Sequence, residues 1–217
     1  MKLFSFWRSL ATYRVRIALN LKGLEAEVVE VDLLRGDQRS DRYREINPQM
    51  RIPALVDGEG PVLFQSLAIV EYLDECHPQP PLLPGDARGR ARVRALAQIV
   101  ASDAHPLIVP RVRHFLEQEF NLSEPQRLAW SRHWIVDALE ALEVHLARDP
   151  QTGRFCHGDT PTLADLCLVS HLAGAQFFDC DTAPFPTVRR VGEACMAIEA
   201  FASAHPFRQP GAPSRAG

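Results

Sequence analysis

Along the first eighty residues the spacing of apolar positions changes period several times. Lys2–Trp7 (KLFSFW) is short, aromatic and partly alternating, which predicts a strand. From Leu10 the pattern turns helical: Val15, Ala18, Leu19 and Lys22 share a face, Ile17 and Leu21 lie beside it, and Gly23 stands where a C-terminal cap belongs. Ala26–Leu33 (AEVVEVDL) is β-branched and alternating, a second strand. A polar, helix-like stretch over 37–46 ends at Asn47-Pro48. Residues 52–58 read as a strand and turn, and 62–64 as a further strand. Gln65-Ser66 then introduces an amphipathic helix over 67–73. The order is βαβ, helix, ββα, which on one sheet with its last two strands antiparallel is the thioredoxin-like arrangement.

Pro78, Pro80, Pro81 and Pro84 crowd the stretch 77–86, which can be neither helix nor central strand and reads as a stiff linker. Beyond it nothing resembles a strand. Val93, Leu96, Ala97, Val100 and Ala101 keep helical spacing, as do Trp134, Ile135, Ala138, Leu139, Leu142 and Leu146. Residues 163–175 are apolar nearly all round, the mark of a helix buried on every side, and Thr162 with Asp165 three residues on forms a capping box at its start. A last helix is expected over about 186–201. The expected organisation is a thioredoxin-like domain over 1–78, a linker over 79–86, an all-helical domain over 87–210 and a mobile tail over 211–217.

Composition narrows the function. The chain has 217 residues, 46% hydrophobic and 24% charged, with a formal net charge of −3. That balance gives no electrostatic footprint for nucleic acid or an anionic membrane. No apolar run approaches the roughly 20 residues a bilayer span needs, and the N-terminus carries no secretory pattern. Five widely spaced cysteines (Cys76, Cys156, Cys167, Cys180, Cys195) without a C-x-x-C indicate neither a disulfide framework nor a structural zinc site. A cytoplasmic protein without a metal is expected.

The α/β domain joined by a proline linker to an all-α domain resembles the glutathione S-transferase fold over nearly the whole chain. Phe6-Trp7-Arg8-Ser9 followed by Tyr13-Arg14-Val15-Arg16-Ile17-Ala18-Leu19 is similar to the zeta class, which includes maleylacetoacetate and maleylpyruvate isomerases. Asn47-Pro48, Ile52-Pro53-Ala54-Leu55, Gln65-Ser66-Leu67-Ala68-Ile69 and Gly158–Asp165 (GDTPTLAD) continue the likeness in order and spacing.

Each candidate site residue has two readings. Ser9, between the first strand and first helix, is placed as an N-cap; it also puts a hydroxyl where the helix N-terminus favours negative charge, so a thiol bound there would ionise more easily. Thr12, one turn on, reads as helix surface rather than catalyst. The resemblance implies that Ser9 is the catalytic residue for bound glutathione and that Ile52-Pro53 is a cis-proline site whose backbone pairs with the peptide. It further implies that Gln65 and Ser66 hold the γ-glutamyl carboxylate, while Gln49, and less directly Gln38 or Arg39, reach the cysteinyl-glycine end. Asp103 and His105 resemble a segment near glutathione across a homodimer interface; read alone they are helix residues. Arg8 and Arg111 are candidates to hold the carboxylates of a second substrate; for Arg111 a solvated helix charge beside Arg113 is the plain alternative.

Two departures matter. Leu10-Ala11 replaces the serine and cysteine that usually follow the first serine, which excludes a thiol from the protein and argues against thiol exchange. Gln176-Phe177-Phe178 stands where the isomerases carry an arginine. The function implied is a glutathione-dependent cis–trans isomerase of maleylpyruvate- or maleylacetoacetate-like acids; a general transferase for electrophiles is the alternative, and a non-catalytic binding protein of the same fold is the third.

Overall fold

The computed structural model describes residues 1–213. Its first unit comprises residues 1–82 together with 198–213, and its second comprises Leu83–Ala197.

In the first unit β1 (Lys2–Ser5), β2 (Glu27–Glu30), β3 (Ala54–Val56) and β4 (Leu63–Phe64) form one sheet in the order β2-β1-β3-β4. β1 runs parallel to β2, and β3 is antiparallel to both β1 and β4. This is the expected thioredoxin-like sheet. The α1 crossover (Leu10–Leu21) ends where Gly23 takes φ +64, the left-handed conformation that glycine enters without a Cβ penalty. Period-two alternation gives the sheet two apolar faces. On one, Phe4 and Ala54 pack with Val31 and Tyr43, the latter from α2 (Asp41–Ile46). The opposite face carries Leu3 and Leu55, matching the buried Val15, Ile17, Ile69 and Leu73 of α1 and α3 (Ser66–Cys76).

The second unit is all helical: α4 (Ala87–Gln98), a π-helical turn (Ile99–Ala104), α5 (His105–Ile108), α6 (Pro110–Phe120), α7 (Glu124–Arg148), α8 (Leu163–Phe177) and α9 (Pro186–Met196). The continuous helix expected through Asp103-Ala104-His105 is therefore interrupted. Pro106 has no N–H to give the preceding turn, and the wide π turn lies directly before it. α8 is buried all round as its composition predicts, with Leu166 and Cys167 fully enclosed.

Its capping box is present. The Asp165 carboxylate accepts from Thr162 N–H (2.7 Å), Thr162 Oγ1 (2.8 Å) and, from the preceding loop, Cys156 N–H (2.8 Å). A second anchor holds that loop: Arg92 of α4 donates to Asp149 Oδ2 (2.6 Å), the Cys156 carbonyl (2.6 Å) and Thr152 Oγ1 (2.8 Å).

The chain end differs from expectation. The helix expected over 186–201 is two, because Ile198 is extended (φ −94, ψ 126) before α10 (Glu199–Ser203). Residues 198–213 group with the first unit, not with the helical domain drawn as 87–210. The cause is side-chain chemistry on α1. Tyr13 Oη donates to Phe201 O (3.3 Å), Arg16 Nε to Ala204 O (3.1 Å) and Asn20 Nδ2 to Ala200 O (3.0 Å). Of the tail expected as mobile, 211–213 follow a turn in which Ala212 N–H meets Gln209 O (3.1 Å), and 214–217 lie outside the described residues. Among the described residues no helix is long and apolar enough to cross a membrane.

Candidate active site

Three segments of the first unit carry the residues singled out above. The first is the turn from β1 into α1. Ser9 is extended (φ −69, ψ 113) and N-caps α1: its Oγ accepts from Thr12 N–H (3.1 Å) and from Thr12 Oγ1 (2.9 Å). The capping reading of Ser9 is thus realised, and it leaves the serine's own proton for another acceptor, since a hydroxyl accepts twice and donates once. Thr12 is fully buried, not on the helix surface as expected, because its hydroxyl turns back onto Ser9.

Arg16, only 6% exposed, holds this turn from behind: Nη1 donates to Ser5 Oγ (3.3 Å) and Phe6 O (3.4 Å), Nη2 to Trp7 O (3.3 Å). Burial pulls its pKa down to about 10, while these oxygens compensate the charge. Trp7 meets Phe207, whose ring stacks on His205, so the chain end supports the same turn. Arg8 is half-buried, and desolvation holds its guanidinium below the ordinary arginine value.

The second segment leads into β3. The Ile52-Pro53 bond is cis. Asn47 fixes the approach, donating to Arg51 O (2.8 Å) and accepting from Gln49 N–H (3.1 Å).

The third segment is the start of α3. Gln65 has φ +68, a left-handed value uncommon for a residue with a Cβ, and its Nε2 donates to Gln49 Oε1 (3.0 Å), joining two of the predicted residues. α3 has no side-chain cap and no acidic residue in its first turn, so its N–H groups and the positive end of its dipole are left for an anion. Buried Ser66 accepts from Arg14 Nη1 (3.2 Å), itself 1% exposed. Guanidinium can only donate, so the Ser66 proton too is free to face an acceptor. An anion-accepting helix end, an oriented hydroxyl and a pair of amides can together take a small polar ligand that carries a carboxylate.

The remaining predicted residues lie in the second unit. Asp103 is exposed in the π turn, His105 opens α5 half-buried, and Arg111 is exposed near the start of α6. Gln176 is exposed in the last turn of α8, while Phe178 is buried with the Arg113 guanidinium 5.2 Å from its ring centroid. The groove along α7, lined by Arg132, His133, Val136, Asp137 and others, contains none of the predicted residues. Among the described residues no cluster suits a metal ion.

Sequence reasoning left Thr12, Arg14 and Arg16 without roles. A signal was there: two arginines and a threonine interrupt the apolar helix Leu10–Leu21, and all three are buried.

Comparison with known proteins finds relatives along nearly the whole chain. The profile of the glutathione S-transferase N-terminal domain matches residues 1–75, and that of the C-terminal domain matches 134–192. The chain is 46% identical to a maleylpyruvate isomerase from a Ralstonia species, over 97% of its own length and 99% of the relative's. It is similar to the crystal structure of maleylacetoacetate isomerase from Methylobacterium extorquens AM1 with bound malonate and GSH (TM-score 0.97, 51% identity, 99% and 100% of the two chains). A holo structure of maleyl pyruvate isomerase, described as a bacterial zeta-class glutathione S-transferase, follows with TM-score 0.95 and 46% identity over 98% and 100%.

Proposed function

Since the chain belongs to the glutathione S-transferase superfamily, in its zeta class, we propose that it is a glutathione-dependent cis–trans isomerase of maleylpyruvate- or maleylacetoacetate-like acids. The observation that carries the reading is likeness to such isomerases along the full chain, joined to a first unit that keeps every part of a peptide site: Ser9, cis Ile52-Pro53, Gln65 and Ser66. A scaffold protein has no use for that set.

Bound glutathione supplies a thiolate nucleophile that adds to the substrate double bond and leaves again after rotation, so it is not consumed. The chain's own residues do the rest. Ser66 and the first N–H groups of α3 hold the γ-glutamyl carboxylate, with the buried Arg14 charge behind them. The backbone of Ile52, set by Pro53, takes the peptide as an added strand, and the Gln49–Gln65 pair borders it. The Ser9 hydroxyl donates a hydrogen bond to the sulfur, and the N-terminus of α1 favours the anion. Arg8 holds a carboxylate of the acid and offsets the negative charge that moves toward its carbonyl oxygen, while Arg111 is assigned to the acid on the resemblance alone. Asp103 and His105 are assigned to glutathione on the resemblance alone.

One observation favours a second reading. Gln176-Phe177-Phe178, at the end of α8, offers no arginine where the resemblance leads one to expect a substrate-binding one. That suits a general transferase for electrophiles, which needs no clamp on two carboxylates. Turnover of maleylpyruvate, maleylacetoacetate and a chloronitroaromatic, each with and without glutathione, separates the two. Conversion of the chloronitroaromatic alone refutes the isomerase.

The same proposal includes a homodimer, the usual closed two-fold assembly, which sedimentation at micromolar concentration checks against a monomer of 24.3 kDa. It also includes a cytoplasmic location, with which five cysteines that form no disulfide are in keeping.

A further inference from the structure

The hydroxyl of Thr12 is surplus to helix capping. An N-cap needs one main-chain N–H on its side-chain oxygen, and Thr12 N–H already supplies it to Ser9 Oγ at 3.1 Å. The Thr12 side chain then brings a second donor to the same oxygen at 2.9 Å, from a position with no solvent exposure. A serine oxygen has two acceptor sites and one proton. With both acceptor sites filled from α1, the proton points away from the helix. Were the Thr12–Ser9 bond reversed, Ser9 would donate to Thr12 and offer an incoming anion only lone pairs.

We propose that Thr12 is a positioning residue: by donating to Ser9 Oγ it orients and polarises the Ser9 hydroxyl as a donor to the thiolate of bound glutathione. The proposal rests on the reading of Ser9 above and assigns the residue through which it acts. A chain of hydroxyls ending on an anion strengthens each link, because each oxygen that donates becomes a better acceptor in turn. Thr12 touches neither glutathione nor substrate in this scheme.

Thr12→Val tests it, since valine keeps the shape and the capping N–H but lacks the hydroxyl. The pKa of bound glutathione is read from thiolate ultraviolet absorbance against pH, in the parent protein, Thr12→Val, Thr12→Ser, Ser9→Ala and Ser9→Ala/Thr12→Val. Thermal melts and glutathione affinity are measured alongside. A cooperative gain of some tenths of the terminal bond corresponds to a thiolate population near neutral pH roughly two- to fourfold lower in Thr12→Val. Thr12→Ser is expected to restore the parent midpoint, Ser9→Ala to shift it further, and the double variant to match Ser9→Ala. A Thr12→Val midpoint equal to the parent's, beside a shifted Ser9→Ala, overturns the inference and leaves the role of Ser9 standing. Equal Thr12→Val shifts with and without Ser9 also overturn it, because Thr12 would then act independently. An unshifted Ser9→Ala midpoint removes the reading of Ser9 itself, and the inference with it.

Discussion

Replacing Asp165 with alanine offers a severe test of how the helical unit is held together. The carboxylate is fully buried and receives four donors: two main-chain N–H groups (Cys156 at 2.8 Å, Thr162 at 2.7 Å), the Thr162 hydroxyl and, more weakly, the Cys195 thiol at 3.8 Å. Burial pushes its pKa up, while the donors from Cys156 and Thr162 pull the other way, so the site depends on those donors to tolerate a carboxylate. In Asp165→Ala the hydroxyl can turn elsewhere, but the two amides cannot, since α8 and the loop before it fix them. A stranded buried donor costs about 1–3 kcal/mol, so the pair amounts to roughly 2–6 kcal/mol. That is a large share of the ~5–15 kcal/mol that holds a native protein together. With a urea slope near 3 kcal/mol/M, the midpoint should fall by about 0.7–2 M. Thr162→Ala, which keeps both amide bonds, should fall by no more than the ~1 kcal/mol typical of a lost cap hydroxyl. A midpoint for Asp165→Ala within about 0.2 M of the parent's would show that the amides find other partners and that the reasoning is wrong.

Other expectations follow from the same contacts. Arg8→Ala should lower kcat/KM for a dicarboxylate substrate by about one to two decades, the ~1.5–3 kcal/mol of a charge-assisted bond, and glutathione affinity by much less; equal losses in both would contradict the substrate role. Gly153→Ala should destabilise by about 1–3 kcal/mol in urea titration, because a Cβ there would run into the main chain of Gly158, which cannot yield as a flexible side chain can. Asp149 is held below its usual 3.8, first by the Gln151 N–H and then by Arg92. A carboxyl with a depressed folded pKa stabilises above the unfolded value and loses that contribution as pH falls through the folded one. Melting temperature should therefore drop between about pH 5 and pH 2, and Asp149→Asn should flatten that limb.

What the chain revealed unaided was whatever is carried by short-range pattern. The period-two strands, the left-handed Gly23 after α1 and the Thr162–Asp165 box were legible because each is a bond or a face formed within a few residues. The all-round apolarity of α8 announced its burial for the same reason: composition alone leaves it no wet face. Ser9, Ile52-Pro53 and Gln65-Ser66 could be placed by their positions at element junctions, helped by the resemblance. The partners of buried polar groups were not legible, since they are set by where distant segments meet. Thr12 read as surface from its polarity, yet it is enclosed; Arg14 and Arg16 gave no hint of Ser66, 52 residues away, or Ala204, 188 residues away. The same physics moved the chain end. Nothing local separates residues 198–213 from the helices before them; the carbonyls they offer to Tyr13, Arg16 and Asn20, with ring contacts such as Trp7–Phe207, draw them to the first unit. A buried polar group must find a partner wherever the fold supplies one, and that choice belongs to the tertiary structure.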